Sequence, residues 1–424
     1  MRSAEKSAGG WWEMSDGATT AAVSSTPTKE RFLGVDIARG VALLSMLAAN
    51  IFEDLYDNGE PTLAVMTVTG RSATMFVMVA GISLAFITGG RHPAQRRDRR
   101  PTTVGLIVRA LLIGTIGLAL GYAAPADFGV ILTYYALYFL LAIPLVGLRP
   151  RTLICIAGGL LVVGPLLILG ASSLGLQRVT TGSLMLGHAV TDPIGFVLQL
   201  FVTGNFAAVV YMIYILTGLA IGRLDLSSTR VATRLLVSGL VLAVTAWVTS
   251  SVILFNLGGL QHLIAAAGPG SNPATIRNEI LWDHPRMSSW WYLAVRSHHA
   301  ATPIYAMHSL GTAIAVLGAV LLTTKLPAAR RLLWPVGVAG AMTLTIYSAH
   351  VLVLGSGWLS DKPTALYLVT VAAALAFAVL WRRFAGQGPL ERIVSLAAGR
   401  ARRAAMGWRW SGDRSDSGST PRGR

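Results

Sequence analysis

Apolar residues in this chain arrive in blocks of about 20, the length a helix needs to cross the hydrocarbon core of a bilayer. Ten blocks can be drawn, at roughly 34–54, 67–89, 103–122, 128–147, 152–174, 204–222, 233–256, 304–324, 333–355 and 363–381. With 53% hydrophobic and only 13% charged residues, the chain is read as all-α, a polytopic integral membrane protein of about ten transmembrane helices. The boundaries are weakest over 188–222, where a shorter segment, Pro193 to Thr203, either re-enters or lies at the surface.

The net charge of +16 is distributed as a topology signal rather than as a nucleic-acid surface. Bases cluster at Arg91 to Arg100, Arg149/Arg151, Arg223/Arg230/Arg234, Lys325/Arg330/Arg331 and from Arg382 onward, each after an even-numbered block. The first hairpin instead carries Glu53, Asp54, Asp57 and Glu60, with no base until Arg71. The positive-inside rule then places both termini in the cytoplasm of a cell whose inner (plasma) membrane holds the protein. Residues 1–30 are polar and lack an apolar h-region, so they read as a disordered leader. Residues 31–384 form the transmembrane domain, 385–410 a basic amphipathic segment on the inner leaflet, and 411–424 a disordered tail. The single cysteine, Cys155, cannot form an internal disulfide.

Ionisable residues inside such spans are costly, so they pair, face a wet cavity or serve function. In the first block Asp36, Arg39 and Asn50 share one helical face, a polar stripe roughly 21 Å long at 1.5 Å per residue. Asp36 and Arg39 read either as a structural ion pair or as a donor fork for a phosphate-bearing ligand oriented by the acid. Asn50 bonds a neighbouring helix or holds a substrate carbonyl. Arg71 either pairs with the acidic hairpin or shapes an outer substrate pocket.

The outer segment before the eighth block holds Trp282-Asp283-His284, Trp290-Trp291-Tyr292 and Ser297-His298-His299-Ala-Ala-Thr302-Pro303. Its aromatics suit an interfacial belt or the face of a sugar ring. His298 and His299 are adjacent, point apart and make a poor metal pair. A histidine beside Thr302 could serve as general base. Within the spans, His308 and His350 stand out, with Tyr347 and His350 neighbours at i,i+3. His188 and Asp192 form a weaker acid–base candidate. No phosphate-binding loop, His-Glu-x-x-His or paired-cysteine site is present.

Several of these pieces resemble one family. Arg31…Val35-Asp36-x-x-Arg39-Gly40-x-Ala-Leu…Asn50, then Gly70-Arg71-Ser-Ala-Thr-Met-Phe76…Ala80-Gly81-Ile-Ser83, are similar to the first two helices of the heparan-alpha-glucosaminide N-acetyltransferase-like and YeiB-like membrane proteins. Ile215-Leu-Thr-Gly218…Gly222-Arg223-Leu-Asp225, His299-Ala-Ala-Thr302-Pro303, Tyr347-Ser-Ala-His350 and Gly388-Pro-Leu-Glu391 extend the resemblance over 31–395. It implies transfer of an acyl group, acetyl first, from cytoplasmic acyl-CoA to an exoplasmic sugar or glycolipid, without a metal. In the acetyltransferase branch a histidine between the first two spans does the acyl chemistry. Residues 53–66 contain carboxylates and no histidine, which leaves His299, His188 or His350 as substitutes.

The reading is therefore an acyltransferase in which Arg39 and Asp36 hold acetyl-CoA. His299, then His350, supplies the base, and Asn50 assists at the reacting carbonyl. Arg71, Thr302 and Tyr347 contact the acceptor. A transporter or flippase for a small molecule or lipid is the alternative, and a homo-oligomer is compatible with either.

Overall fold

The computed structural model describes residues 27–91, 100–126, 128–176, 182–267, 272–283 and 289–416. Most of the proposed leader, the arginines at 96–100 apart from Arg100, His284 and the end of the tail lie outside these residues. Twelve helices matter here. They are α1 (Pro27–Ile51), α2 (Arg71–Ile87), α3 (Arg100–Gly121), α4 (Leu132–Ala142), α5 (Pro150–Ser173), α6 (Ala208–Ile221), α7 (Thr229–Ser251), α8 (Pro303–Thr323), α9 (Trp334–Gly340), α10 (Thr343–Gly355), α11 (Pro363–Ala385) and α12 (Pro389–Asp416). No named strand occurs among the described residues; an isolated bridge, Leu55 to Pro61, closes the first hairpin.

Every one of the ten expected blocks contains a helix, but the count of spans is lower than ten by length. Six helices are long and apolar enough to cross a membrane, or up to eight if each of two bent pairs forms one span. Arg71–Ile87 and Leu132–Leu145 are apolar but shorter. The block expected at 333–355 is broken: α9 and α10 meet at an 81° bend. The uncertain stretch ahead of α6 is likewise a helix, Pro193–Thr203, bent 52° from it.

Two populations of helix explain the packing. α6 is buried on every side and α2 on nearly every side, as expected of helices apolar all round. On α5, α7 and α11, large apolar residues such as Val162, Val241, Trp247 and Leu368 remain exposed, forming a surface suited to acyl chains. α2 and α6 approach closely through small residues: a Cβ at Gly218 would overlap the Met78 carbonyl, and one at Gly81 the Ile215 carbonyl. Gly218→Ala is expected to force these helices apart at a cost of about 1–3 kcal/mol. A lowered thermal midpoint in detergent would show it; an unchanged midpoint would mean that the pair can slide without loss.

Buried Arg223 closes the end of α2. Its guanidinium donates to the Ala85 and Gly90 carbonyls, the Thr88 hydroxyl and the Val146 carbonyl. The arginine of the Gly222-Arg223 pair is thus a helix cap, placed where the α2 carbonyls lack intrahelical partners.

Candidate functional site

The site has two ends, separated along α1. At its first end the break between α9 and α10 leaves orphan backbone groups in an apolar setting, and charged side chains meet them. Arg39 Nη1 donates to the Gly340 carbonyl at 3.1 Å, on the C-terminal side of α9. Glu391 of α12 accepts from the Leu344 and Thr345 amides at 2.7 and 3.1 Å and from the Thr345 hydroxyl at 2.6 Å. A cation at a helix C-terminus and an anion at an N-terminus both follow the helix dipole.

The expected Asp36–Arg39 pair forms, with Nη1 to Oδ1 at 2.9 Å, and Arg39 Nη2 also donates to Ser83 at 2.7 Å. Arg39 therefore ties α1 to α2 and to the helix break. It lines a cavity of about 150 Å³ together with Arg109, Tyr135, Tyr347, Phe76 and Glu391. Arg109, on α3, forms no ion pair or hydrogen bond with a described residue. Two guanidinia lining a pocket with aromatic walls suit a phosphate-bearing ligand with a thin apolar arm. A larger concavity of about 1120 Å³ runs along α7, from Thr229 to Thr245. One helix alone lines it, and its apolar side chains face outward, so it is a lipid groove rather than a reaction site.

At the C-terminal end of α1 the acidic hairpin is fastened by its own backbone. Thr62 donates its amide to the Asp54 carbonyl at 3.0 Å and its hydroxyl to the Glu53 carbonyl at 2.6 Å, while Asn278 clamps the Gly59 carbonyl at 2.7 Å. This presents the Asp54 carboxylate to His298, whose Nε2 lies 3.0 Å from Oδ2. His298 is buried, and Asp283 completes a trio whose ligand atoms lie within 4.8 Å of one another. One imidazole and two carboxylates are also a donor set able to hold a divalent cation.

The local backbone explains how adjacent histidines reach different partners. His299 and Ala301 both adopt left-handed conformations, φ 53° and 57°, and such strain in residues with a Cβ concentrates at functional sites. His298 turns to Asp54, whereas His299 Nδ1 meets the Asn205 carbonyl at 3.2 Å and the Tyr211 hydroxyl at 3.4 Å. Gly70 (φ 73°) opens α2 beneath them, and a Cβ there would stand 2.7 Å from that of His298 and 2.6 Å from the Tyr305 hydroxyl. Only glycine combines that φ with that approach.

An aromatic column joins the two ends. Tyr135, in the Arg39 cavity, touches Tyr138, which stacks on Tyr211; Phe206 follows, and then His299 and His298 edge to face. The cavities at the two ends are separate, with this column between them.

Other expected residues separate. Tyr347 lines the Arg39 cavity and receives the Ile131 amide at 3.4 Å, which places it with Arg39 and apart from Arg71 and His298. His350, one turn on, is buried with neither ring nitrogen hydrogen-bonded among the described residues, and it lines neither the Arg39 cavity nor the outer cavity beside His298. Thr302 is spent as the cap of α8, donating to the Val295 carbonyl at 2.6 Å and accepting the Tyr305 amide at 3.0 Å. Asn50 is half-buried on the last turn of α1, one turn before Asp54. Arg71 makes no ion pair with the hairpin; it donates to the Met66 carbonyl at 2.8 Å and lines a small outer cavity. His188 accepts the Met185 amide and Asp192 the Gly195 amide, both as helix caps.

A helical membrane protein with a cationic pocket at one end and a histidine–carboxylate pair at the other fits the class of membrane acyltransferases. Residues 31–265, more than half of the 424, match the family described as heparan-alpha-glucosaminide N-acetyltransferase, catalytic. The chain belongs to this family. A comparison with curated proteins finds no match.

Proposed function

We propose that the protein transfers an acetyl group from cytoplasmic acetyl-CoA to a hydroxyl or amine of a sugar or glycolipid on the outer side of the plasma membrane. The observation that carries this reading is the pairing of a two-arginine pocket at the middle of α1 with an Asp-oriented imidazole just past its C-terminal end. Arg39 and Arg109 take the phosphates of the donor, Asp36 fixes the Arg39 fork, and the acetyl-pantetheine arm enters along the Asn50 stripe as Tyr135 and Tyr138 turn aside. The positive-inside distribution of bases supports this sidedness and both termini in the cytoplasm, with α9–α10 counted as one broken span.

His298 is better placed than His299 to act as base. With Nε2–H donated to Asp54, the lone pair stands on Nδ1 and the carboxylate supports the imidazolium that forms. The acceptor oxygen or nitrogen attacks the thioester carbonyl while His298 takes its proton. Asn50 donates to the oxyanion, the C–S bond breaks, and the proton goes to the departing sulfur, leaving CoA and an acetylated acceptor. This step uses no metal.

The first test is calorimetry with acetyl-CoA on purified protein, alongside proteoliposomes given labelled acetyl-CoA on one side and a glycan acceptor on the other. Saturable binding and label crossing to the acceptor are expected. Failure to bind any acyl-CoA in folded protein would reject the donor site. The broken α9–α10 pair is also a device of transporters. Solute uptake without acetyl transfer would select that reading instead.

A further inference from the structure

We infer that the outer cavity beside His298 recognises an oxyanion, a carboxylate or phosphate carried by the acceptor, through Arg71 and Arg296. The inference deepens the acetyltransferase reading and rests on it for the word acceptor; the anion site itself stands on its own geometry. Arg71, Arg296, Trp282, His298, Tyr305 and His308 converge on a cavity of about 20 Å³, room for roughly one water-sized atom. Both arginines are half-buried. Neither forms an ion pair with a described residue; Arg71 uses a single N–H on the Met66 carbonyl, and Arg296 makes no hydrogen bond among the described residues.

Two guanidinia facing one partly desolvated cavity repel each other and lack the counter-charge that such placement calls for. Burial, with the Arg71 cation beside it, pushes Arg296 down to about 10. The carboxylates beside His298 do not answer this need. Asp54 is engaged by His298, and no ion pair joins Arg71 or Arg296 to a described carboxylate. A bound oxyanion would supply the missing charge and accept several N–H donors at once, which is the recognition that paired guanidinia do best.

The remaining lining fits a sugar bearing that anion. The cavity admits an oxygen and excludes a ring, so the ring stays at the rim near Trp282. His308 Nδ1 lies 3.1 Å from the Ala243 carbonyl and so carries a proton, which makes its other nitrogen an acceptor for a hydroxyl. His298, on the same cavity wall, then stands beside the hydroxyl or amine to be acetylated.

The test is a thermal-shift and calorimetric series on the full chain in detergent, with methyl glucuronide, glucose 1-phosphate and neutral methyl glucoside, and with acetyl-CoA measured in parallel. The expected result is saturable binding of at least one of the anionic sugars and none of the neutral one. The uronate and phosphate arms tell which oxyanion is preferred. Arg296→Gln and Arg71→Gln should each weaken that binding about tenfold or more, about 1.4 kcal/mol or more. Arg296→Lys, which keeps the charge without the fork, should retain part of it. Acetyl-CoA affinity should be unchanged in all three. Anionic and neutral sugars binding alike, none binding, or anion binding that survives both glutamine substitutions would overturn the inference. Loss of turnover with unchanged anion binding would also overturn it, because the arginines would then act on the transition state alone. Anion binding without acetyl-CoA binding would keep the site and reject the donor reading.

Discussion

His298→Ala is expected to lower acetyl transfer by about 100- to 10,000-fold, the range typical of losing a positioned general base. Acetyl-CoA affinity should not change, because the Arg39 cavity lies about 18 Å further along α1, 12 residues before its end at 1.5 Å per residue. The carboxylate partner sharpens the case. Asp54→Asn leaves an amide that can present either face to Nε2, so the imidazole loses its fixed tautomer and the rate should fall by an intermediate factor. His299→Ala makes the contrast: its ring meets the Asn205 carbonyl and the Tyr211 hydroxyl, a packing and positioning environment, so its loss should cost far less. A reversed order of the two histidine variants would give the base to His299. Treatment with EDTA separates the remaining possibility, since Asp54, Asp283 and His298 could hold a cation. Under the base assignment the rate survives chelation; a loss restored by zinc would assign the trio to a metal.

Much of the fold is legible in the sequence because membrane helices announce themselves by length and hydropathy. The Asp36–Arg39 pair is legible too, since i,i+3 proximity is a local fact of helix geometry. What is not legible is long-range or conformational. The 81° break falls at Ala341-Met342, between Gly340 and Thr343, six residues past Pro335 and with no charge to mark it. Its stabilisers, Arg39 and Glu391, come from opposite ends of the chain. Glu391 was visible as part of a motif but without a role, and Arg109 offered no signal beyond being a lone arginine inside an apolar block. The His298–Asp54 pair spans the chain from the first hairpin to the loop before α8, and it depends on left-handed backbone at residues whose types do not advertise it. The sequence marks the 297–303 loop; which of its two adjacent rings faces Asp54 is set by that backbone. The family's loop histidine is missing from residues 53–66, yet Asp54 in that same loop meets a histidine delivered from elsewhere.

Arg39→Ala should do two things at once, and separating them tests whether the residue serves the donor or only the fold. The substitution removes bonds to Asp36, Ser83 and the Gly340 carbonyl and leaves the Asp36 carboxylate without its cation. Losing charged hydrogen bonds of this kind costs roughly 1.5–3 kcal/mol, so a lower thermal midpoint is expected. If Arg39 also holds donor phosphate, acetyl-CoA affinity should fall about tenfold or more, a change of about 1.4 kcal/mol. Arg39→Lys should recover part of the affinity, as a point charge without the fork. The double variant Asp36→Asn, Arg39→Gln decides between the roles. It removes the stranded carboxylate and keeps amide hydrogen bonding across the α1–α2 contact, so stability should return toward wild type. Donor affinity should not return with it, because the cation is still gone. A double variant that is stable and binds acetyl-CoA as wild type does would confine Arg39 to bracing the broken helix, and Arg109 would then have to carry the donor phosphates alone.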